Sequence, residues 1–255
     1  MEPVYTPVIT AARAVFFAQG LKFRIEGAEH VPHVGGAVMA INHTGYFDFT
    51  YAGLAARPSK RLVRFMAKKS IFSHRVAGPL MRGMKHIPVD RRDGRASFMR
   101  AVQSLKDGEI VGVFPEATMS RSFELKEFKP GAVRMAQEAG VPILPTTLWG
   151  SQRVWSKNTP KHLGRSNIPV FIMIGEPFHV GPDENRAEAT TRLQQVMEAQ
   201  LRLQQAAYPP MTGSDLIFQP ARLGGQAPSP EEAAAEDLAD MTRTVDKFNK
   251  KRRTT

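Results

Sequence analysis

The sequence predicts an α/β fold: a single layered domain in which a mixed, largely parallel sheet is flanked by helices. Three observations predict it. Short apolar runs of strand length alternate with amphipathic segments of helix length. The run Ile110 to Phe114 carries no polar side chain, as a strand buried on both faces requires. A chain of 255 residues, 42% apolar and without internal repeats, supplies material for one core.

Each element has its own signal. Thr6 to Gln19 reads as a helix, with Val8, Ala11, Ala12, Val15 and Phe16 on one side. Leu21 to Ile25 and Ala37 to Ile41 read as strands, the second opened by a Gly35-Gly36 turn. Phe47 to Ala56 reads as a helix stopped before Pro58. Strands follow over Leu62 to Ala67 and His86 to Val89, with a short helix around Val76 to Met84 between them. Arg95 to Lys106 puts Phe98, Val102 and Leu105 on one face and ends at Asp107-Gly108. Gly131 to Ala139 is helical and closes at Gly140. Ile143 to Trp149 and Val170 to Gly175 are strands, and Asn185 to Ala206 is a long helix with Leu193, Val196, Met197 and Leu201 on a face.

After Tyr208 the composition changes. Pro209-Pro210, Gly224-Gly225 and Pro228-Ser229-Pro230 mark a linker, Glu231 to Asp240 is acidic, and Arg243 to Arg253 is basic. The expected organisation is an N-terminal amphipathic helix and lead-in strand over 1–26, the main domain over 27–208, and a flexible, solvated tail over 209–255. A surface helix from Pro230 to Phe248, its basic end grazing a membrane, is the alternative.

Charge is informative by position. The formal net charge is +11. Between Arg57 and Lys106 fourteen Lys or Arg face only Asp90 and Asp93, a local +12, which leaves the rest of the chain near neutrality. Such a segment suits nucleic acid, anionic lipid headgroups or a small phosphorylated substrate, or is simply a solvated basic face. No cysteine is present, which excludes disulfides, thiolate nucleophiles and Cys-built zinc sites and fits a reducing compartment. No secretory signal is legible, and no apolar run approaches the ~20 residues of a spanning helix.

The most informative string is Asn42-His43-Thr44-Gly45-Tyr46-Phe47-Asp48, directly after the strand Ala37 to Ile41. Residues five apart on one helix diverge by ~140°, so His43 and Asp48 meet only across a strand-to-helix turn, for which Gly45 supplies freedom. The pair then reads either as a hydrogen-bonded cap or as a base with its orienting carboxylate, leaving a substrate hydroxyl as nucleophile. Phe114-Pro115-Glu116-Ala117-Thr118-Met119-Ser120 follows another buried strand. Glu116 therefore sits at the strand edge where α/β sheets bind ligands. Ile87-Pro88-Val89-Asp90-Arg91-Arg92 places two guanidinium groups after a short strand, suited to phosphate. Val141-Pro142-Ile143-Leu144-Pro145 opens a further strand.

In this order the four strings resemble the lysophosphatidic acid (1-acylglycerol-3-phosphate) acyltransferase family, over roughly Gly27 to Pro177. Asn42 to Asp48 resembles its His-x4-Asp block, and Ile87 to Arg91 its arginine block, with Lys68 upstream. Phe114 to Ser120 resembles its Phe-Pro-Glu-Gly-Thr-Arg-Ser block, and Val141 to Pro145 its proline block. The resemblance implies that His43 deprotonates an acceptor hydroxyl, oriented by Asp48, and that the alkoxide attacks a thioester. Glu116 would hold the acceptor's glycerol part, with Thr118 beside it, and Arg91 and Lys68 its phosphate. It further implies no cofactor, no metal and no covalent acyl-enzyme, with acyl-CoA or acyl carrier protein as co-substrate. Two departures stand out: Ala117 replaces the family's glycine and Met119 its arginine, for which Arg121 could substitute. The implied reaction makes phosphatidic acid from 1-acylglycerol 3-phosphate. Another lysophospholipid or a lipid glycan as acceptor is the alternative.

The expected partners are thus a lysophospholipid, the thioester donor and an anionic membrane surface, with peripheral attachment on the cytoplasmic side. Nucleic-acid binding would explain the charge but not the ordered blocks, and no nucleic-acid motif is legible. A catalytically silent lipid-binding relative would have only Met119 in its favour. The other histidines lack metal-ligand spacing and read as structural or exposed. Lys126, Lys129 and Arg134 read as solvated, and no serine sits in a nucleophile elbow. Trp149 and Trp155 read as packing residues or acyl-chain contacts.

Overall fold

The computed structural model describes residues 2–90 and 93–253, with side chains as far as residue 243. Seven strands form one sheet in the order β1-β7-β6-β2-β5-β3-β4. They are β1 (Lys22–Glu26), β2 (Ala37–Ile41), β3 (Val63–Lys68), β4 (Ile87–Val89), β5 (Ile110–Val113), β6 (Ile143–Trp149) and β7 (Pro169–Ile174). Every pairing is parallel except β6 with β7. The expected mixed, largely parallel sheet is present.

The two faces of the sheet follow from period-2 alternation within its central strands. In β2, Ala37, Met39 and Ile41 face one apolar cluster while Val38 and Ala40 face another. The first is covered by α1 (Tyr5–Ala18) and α2 (Asp48–Ala55) through Phe16 and Tyr51. The second is covered by α5 (Gly94–Lys106), α6 (Gly131–Ala139) and α7 (Arg186–Ala207) through Leu105, Val133 and Leu193. β2 and β6 are buried along their whole length; β2 reads as an unbroken apolar run accordingly, while β6 buries Thr146 and Thr147 among its apolar residues. The short helices α3 (Lys69–Phe72) and α4 (Ala77–Gly83) bridge β3 to β4 and pack Phe72 and Met81 against Tyr5 and Ile9 of α1. Among the described residues no helix is long and apolar enough to cross a membrane.

The C-terminal segment differs from the expected flexible tail. Residues 209–229 include two 3-10 helices, Gly213–Phe218 and Ala221–Leu223, and contribute Met211, Phe218 and Ala227 to a cluster with Trp149 and Tyr208. A final helix α8 spans Pro230–Arg253. Its large apolar residues among the described side chains face water: Leu238 is 66% and Met241 64% exposed. Periodicity therefore gave no sign that it packs.

Part of the basic segment is also consumed inside the protein. Arg64 is buried, donating to Glu2 (2.6 Å), Glu109 (3.0 Å) and the Met84 carbonyl (3.0 Å). Arg61 donates to the carbonyl of Pro32 and Arg82 to that of Phe72. Beside Arg64, the buried His86 accepts the Phe65 N–H at Nδ1 (3.1 Å). Burial, assisted by the Arg64 charge, pushes its imidazole down to about 4. Between pH 6.5 and 4 the unfolded chain takes up a proton that the native state refuses, so stability rises with pH across that window. The effect amounts to about 3 kcal/mol. Denaturant titrations of wild type and His86→Asn should show the variant less stable at pH 7 and the gap closing by pH 4.5; a gap independent of pH would contradict the assignment.

Candidate active site

At the end of β2 the backbone leaves the sheet at Asn42, whose side chain pins β6 by donating to the Leu148 carbonyl (3.1 Å) and accepting the Leu148 N–H (2.7 Å). Five residues, His43 to Phe47, make the connection, and Asp48 begins α2. Asp48 is 0% exposed. Its Oδ2 accepts the Thr44 N–H (2.7 Å), the Gly45 N–H (2.7 Å) and His43 Nδ1 (3.1 Å). An ionised carboxylate only accepts, so Nδ1 carries the imidazole proton and Nε2 keeps its lone pair. The carboxylate is supported by two main-chain donors and by the first turn of a helix. The geometry is compatible with both readings left open by the sequence: Asp48 organises the turn and holds the His43 ring at Nδ1. Gly45, expected to supply backbone freedom for the turn, does not adopt a positive φ. It contributes space, since a Cβ there would lie 3.0 Å from the Ser151 carbonyl oxygen and 3.1 Å from Asp48 Oδ1.

The loop after β5 forms the other wall. Phe114 stacks on the His43 ring, centroids 4.1 Å apart, and the Ser120 N–H donates to the His43 carbonyl (2.7 Å). Glu116 is buried, and its two oxygens accept the His43 N–H (2.8 Å) and the Lys126 N–H (3.0 Å). Burial pushes this carboxyl up to about 8, while the two main-chain donors favour the anion. Glu116 thus spends both oxygens on the protein's own backbone. It ties the His43 backbone to the loop after β5, in addition to the grip on the acceptor's glycerol part that the resemblance implies. Ala117 has φ +61°, in the left-handed region that favours glycine. Met119 is buried, its sulfur against the Ser156 hydroxyl (3.6 Å). Thr118 is exposed and accepts from Lys126 Nζ (2.7 Å).

The remaining sequence-derived candidates are spread along the same sheet edge. Lys68 is exposed at the end of β3; Arg91 lies outside the described residues. Arg121 is not free to replace the missing arginine: its Nε donates to Asp237 (2.9 Å), its Nη1 to Glu236 (2.6 Å) and its Nη2 to Asp240, all on α8. Lys126, expected to be solvated, bonds Asp237 (2.6 Å), as does Lys157 (3.3 Å). Burial opposes the Asp237 anion, but hydrogen bonds from Lys126 and Arg121 outweigh it and hold the carboxyl below its ordinary range. Trp149 is core. Trp155 packs on Tyr46 and Phe47 beside the turn, ring centroids 4.6 and 5.5 Å away.

Replacing Asp48 by Asn keeps an acceptor for the main-chain donors but removes the charge that stabilises an imidazolium. Asp48→Asn should lower kcat at least ~100-fold with the melting temperature shifted by only a few degrees. A steady-state assay beside a thermal melt checks it, and wild-type kcat in a folded variant would refute the orienting role.

A family model, Acyltransferase, matches residues 22–149. The 1-acyl-sn-glycerol-3-phosphate acyltransferase of Bacillus subtilis is 30% identical over 190 residues, covering 71% of this chain and 90% of that protein. The chloroplastic 1-acyl-sn-glycerol-3-phosphate acyltransferase LPAT1 of Arabidopsis thaliana is 33% identical over 162 residues; the match covers 62% of this chain and 44% of the plant protein. The crystal structure of the 1-acyl-sn-glycerophosphate acyltransferase PlsC from Thermotoga maritima superposes with TM-score 0.65 at 21% identity, covering 80% and 81% of the two chains, and so shares the fold. The family model and the Bacillus subtilis relative place the chain in the acyltransferase family.

Proposed function

We propose that the protein transfers a fatty acyl group from a thioester to the free hydroxyl of 1-acylglycerol 3-phosphate, yielding phosphatidic acid. The observation that carries this reading is the His43 ring, held by Asp48 at Nδ1 and by Phe114 on its face, with Nε2 left as a base. Nε2 takes the proton of the acceptor hydroxyl as its oxygen bonds the thioester carbonyl carbon. The tetrahedral adduct then collapses, the C–S bond breaks, and the departing thiolate recovers the proton from the imidazolium. The thioester is already activated, so ordered proximity and a placed base supply the acceleration. The names of the relatives from Bacillus subtilis and Arabidopsis thaliana support this acceptor. The donor is acyl-CoA or acyl carrier protein.

Roles for the other groups follow from their placement. Glu116 is a positioning residue for His43. Lys68 lies at the end of β3, two strands from β2 in the sheet, about 10 Å at the usual spacing, a gap that its own side chain largely spans. With Arg121 engaged by α8 and Met119 apolar, Lys68 and Arg91 are left to hold the acceptor's phosphate.

The surface suited to the membrane combines the exposed apolar Val76 (68%) with Lys68, Lys69 and Arg75 around the α3–α4 turn, and Phe17 (86%) at the end of α1. Flotation with anionic liposomes should show binding that falls steeply between 0.1 and 1 M salt, where the screening length shrinks to ~3 Å; salt-independent binding would assign attachment to apolar insertion alone. For the reaction, labelled palmitoyl-CoA is offered with lysophosphatidate or with monoacylglycerol, which lacks the phosphate. Labelled phosphatidic acid is expected from the first, little product from the second, and a loss of at least ~1000-fold in kcat with folded His43→Ala. Preference for the phosphate-free acceptor, or normal rates with His43→Ala, would refute the proposal.

A further inference from the structure

The sheet order separates two sets of cations around His43. β5, β3 and β4 lie on one side of β2, so Lys68 and the chain leading to Arg91 flank His43 there. β6 lies on the other side, and the segment that follows it carries Lys157. The loop after β5 reaches across to that side, through the Ser120 N–H on the His43 carbonyl and the Ser156 hydroxyl on both the Thr44 carbonyl (2.6 Å) and the Met119 sulfur. It brings Arg121 and Lys126 to Lys157. Lys126 is the direct link to the base: its N–H sits on Glu116, whose other oxygen holds the His43 N–H, while its Nζ reaches Thr118 and Asp237.

Three cations, Arg121, Lys126 and Lys157, are thus gathered within one side chain's length of the groups that position His43. Three carboxylates, Glu236, Asp237 and Asp240, occupy them. A cavity of about 290 Å³ opens beside them, lined by Arg121, Phe123, Lys157 and Glu236 among others. The helix that supplies the carboxylates is held chiefly by charge. Among residues 231–243 only Ala233 is buried, and Leu238 and Met241 face water. A contact built from ion pairs rather than apolar packing yields to a competing polyanion.

Resting on the acyl-transfer reading above, we propose that Arg121, Lys126 and Lys157 form the phosphate site of the thioester donor, and that Glu236, Asp237 and Asp240 of α8 fill it until the donor displaces them. The ligand chemistry is the phosphoester at the far end of a pantetheine arm, common to CoA and to an acyl carrier protein. The site lies on the flank of His43 opposite the acceptor's phosphate grip, and a long pantetheine arm is what separates thioester from phosphate in both donors.

The test uses equilibrium binding to the full chain, which needs no turnover. Free CoA, holo acyl carrier protein and phosphate-free pantetheine are titrated into wild type, Asp237→Asn/Asp240→Asn and Lys157→Met, each checked by thermal melt. Removing the two carboxylates should tighten CoA or the carrier protein at least fivefold, and Lys157→Met should weaken the same ligand at least threefold; pantetheine should not respond. Whichever of the two donors responds is the physiological source. In turnover, KM for that acyl donor should follow while KM for lysophosphatidate stays put. Unchanged binding of both phosphate-bearing ligands, or a shift in the lysophosphatidate KM alone, would overturn the site. If the double variant fails to fold, Lys157→Met decides by itself. Absence of acyl transfer with the binding shifts intact would instead overturn the reaction and leave the site standing.

Discussion

One buried carboxylate joins the two halves of the catalytic edge. Glu116 comes from the loop after β5, yet its oxygens close on the N–H of His43 after β2 and on the N–H of Lys126 ten residues further along its own loop. Without it, the turn that bears the base and the loop that bears Phe114 would be tied to each other mainly by the Ser120 bond to the His43 carbonyl. Burying such a group is costly, burial pushing its carboxyl up, and two main-chain donors are the compensation a buried carboxylate requires. The geometry of His43 is therefore set from both strands. Asp48 holds the ring from within its own turn, and Glu116 holds the backbone from the neighbouring strand.

The central elements were legible in the sequence because their burial is extreme. Ala37–Ile41, Gly131–Ala139 and Ile143–Trp149 have the boundaries expected of them, since strands buried on both faces and a helix closed by glycine leave unambiguous patterns. α3 was not anticipated, as a four-residue helix carries no periodicity. The segment of α8 reads first as a solvated tail, with a surface helix from Pro230 to Phe248 as the alternative, and a helix is what forms; that it docks was not legible, for a physical reason. Its partner, Arg121, lies 116 residues before Asp237, and the contact is ionic, so no apolar stripe announces it. Local acidity then looks the same whether a helix is solvated or docked.

Within the site, the identities of His43, Asp48 and Glu116 were legible, but the bonds that Glu116 makes were not. A glutamate at a strand edge reads as a ligand-facing group, and spacing along the chain does not announce that two distant backbone N–H groups close on it. Phe114 as a platform for the imidazole was likewise hidden, because stacking depends on the twist between β2 and β5 rather than on spacing along the chain. The basic segment shows the converse. Its local +12 suggested an outward surface, yet Arg61, Arg64 and Arg82 satisfy internal carbonyls and carboxylates. A formal charge counts guanidinium groups without asking which of them the fold has already used.

The two departures from the family's third block become intelligible in this light. Ala117 keeps the left-handed backbone that the family's glycine adopts without steric cost, so the loop retains its path at the expense of some local strain. Met119 follows from charge. Its side chain is buried against Ser156, in a shell where Arg121, Lys126 and Lys157 are already balanced by three carboxylates of α8. An arginine at 119 would add a fourth, buried cation with only a hydroxyl beside it, a position that costs several kcal/mol when a charge is left unpaired. The guanidinium this loop does carry, Arg121, lies where an acidic helix neutralises it, and position 119 beside Ser156 is apolar.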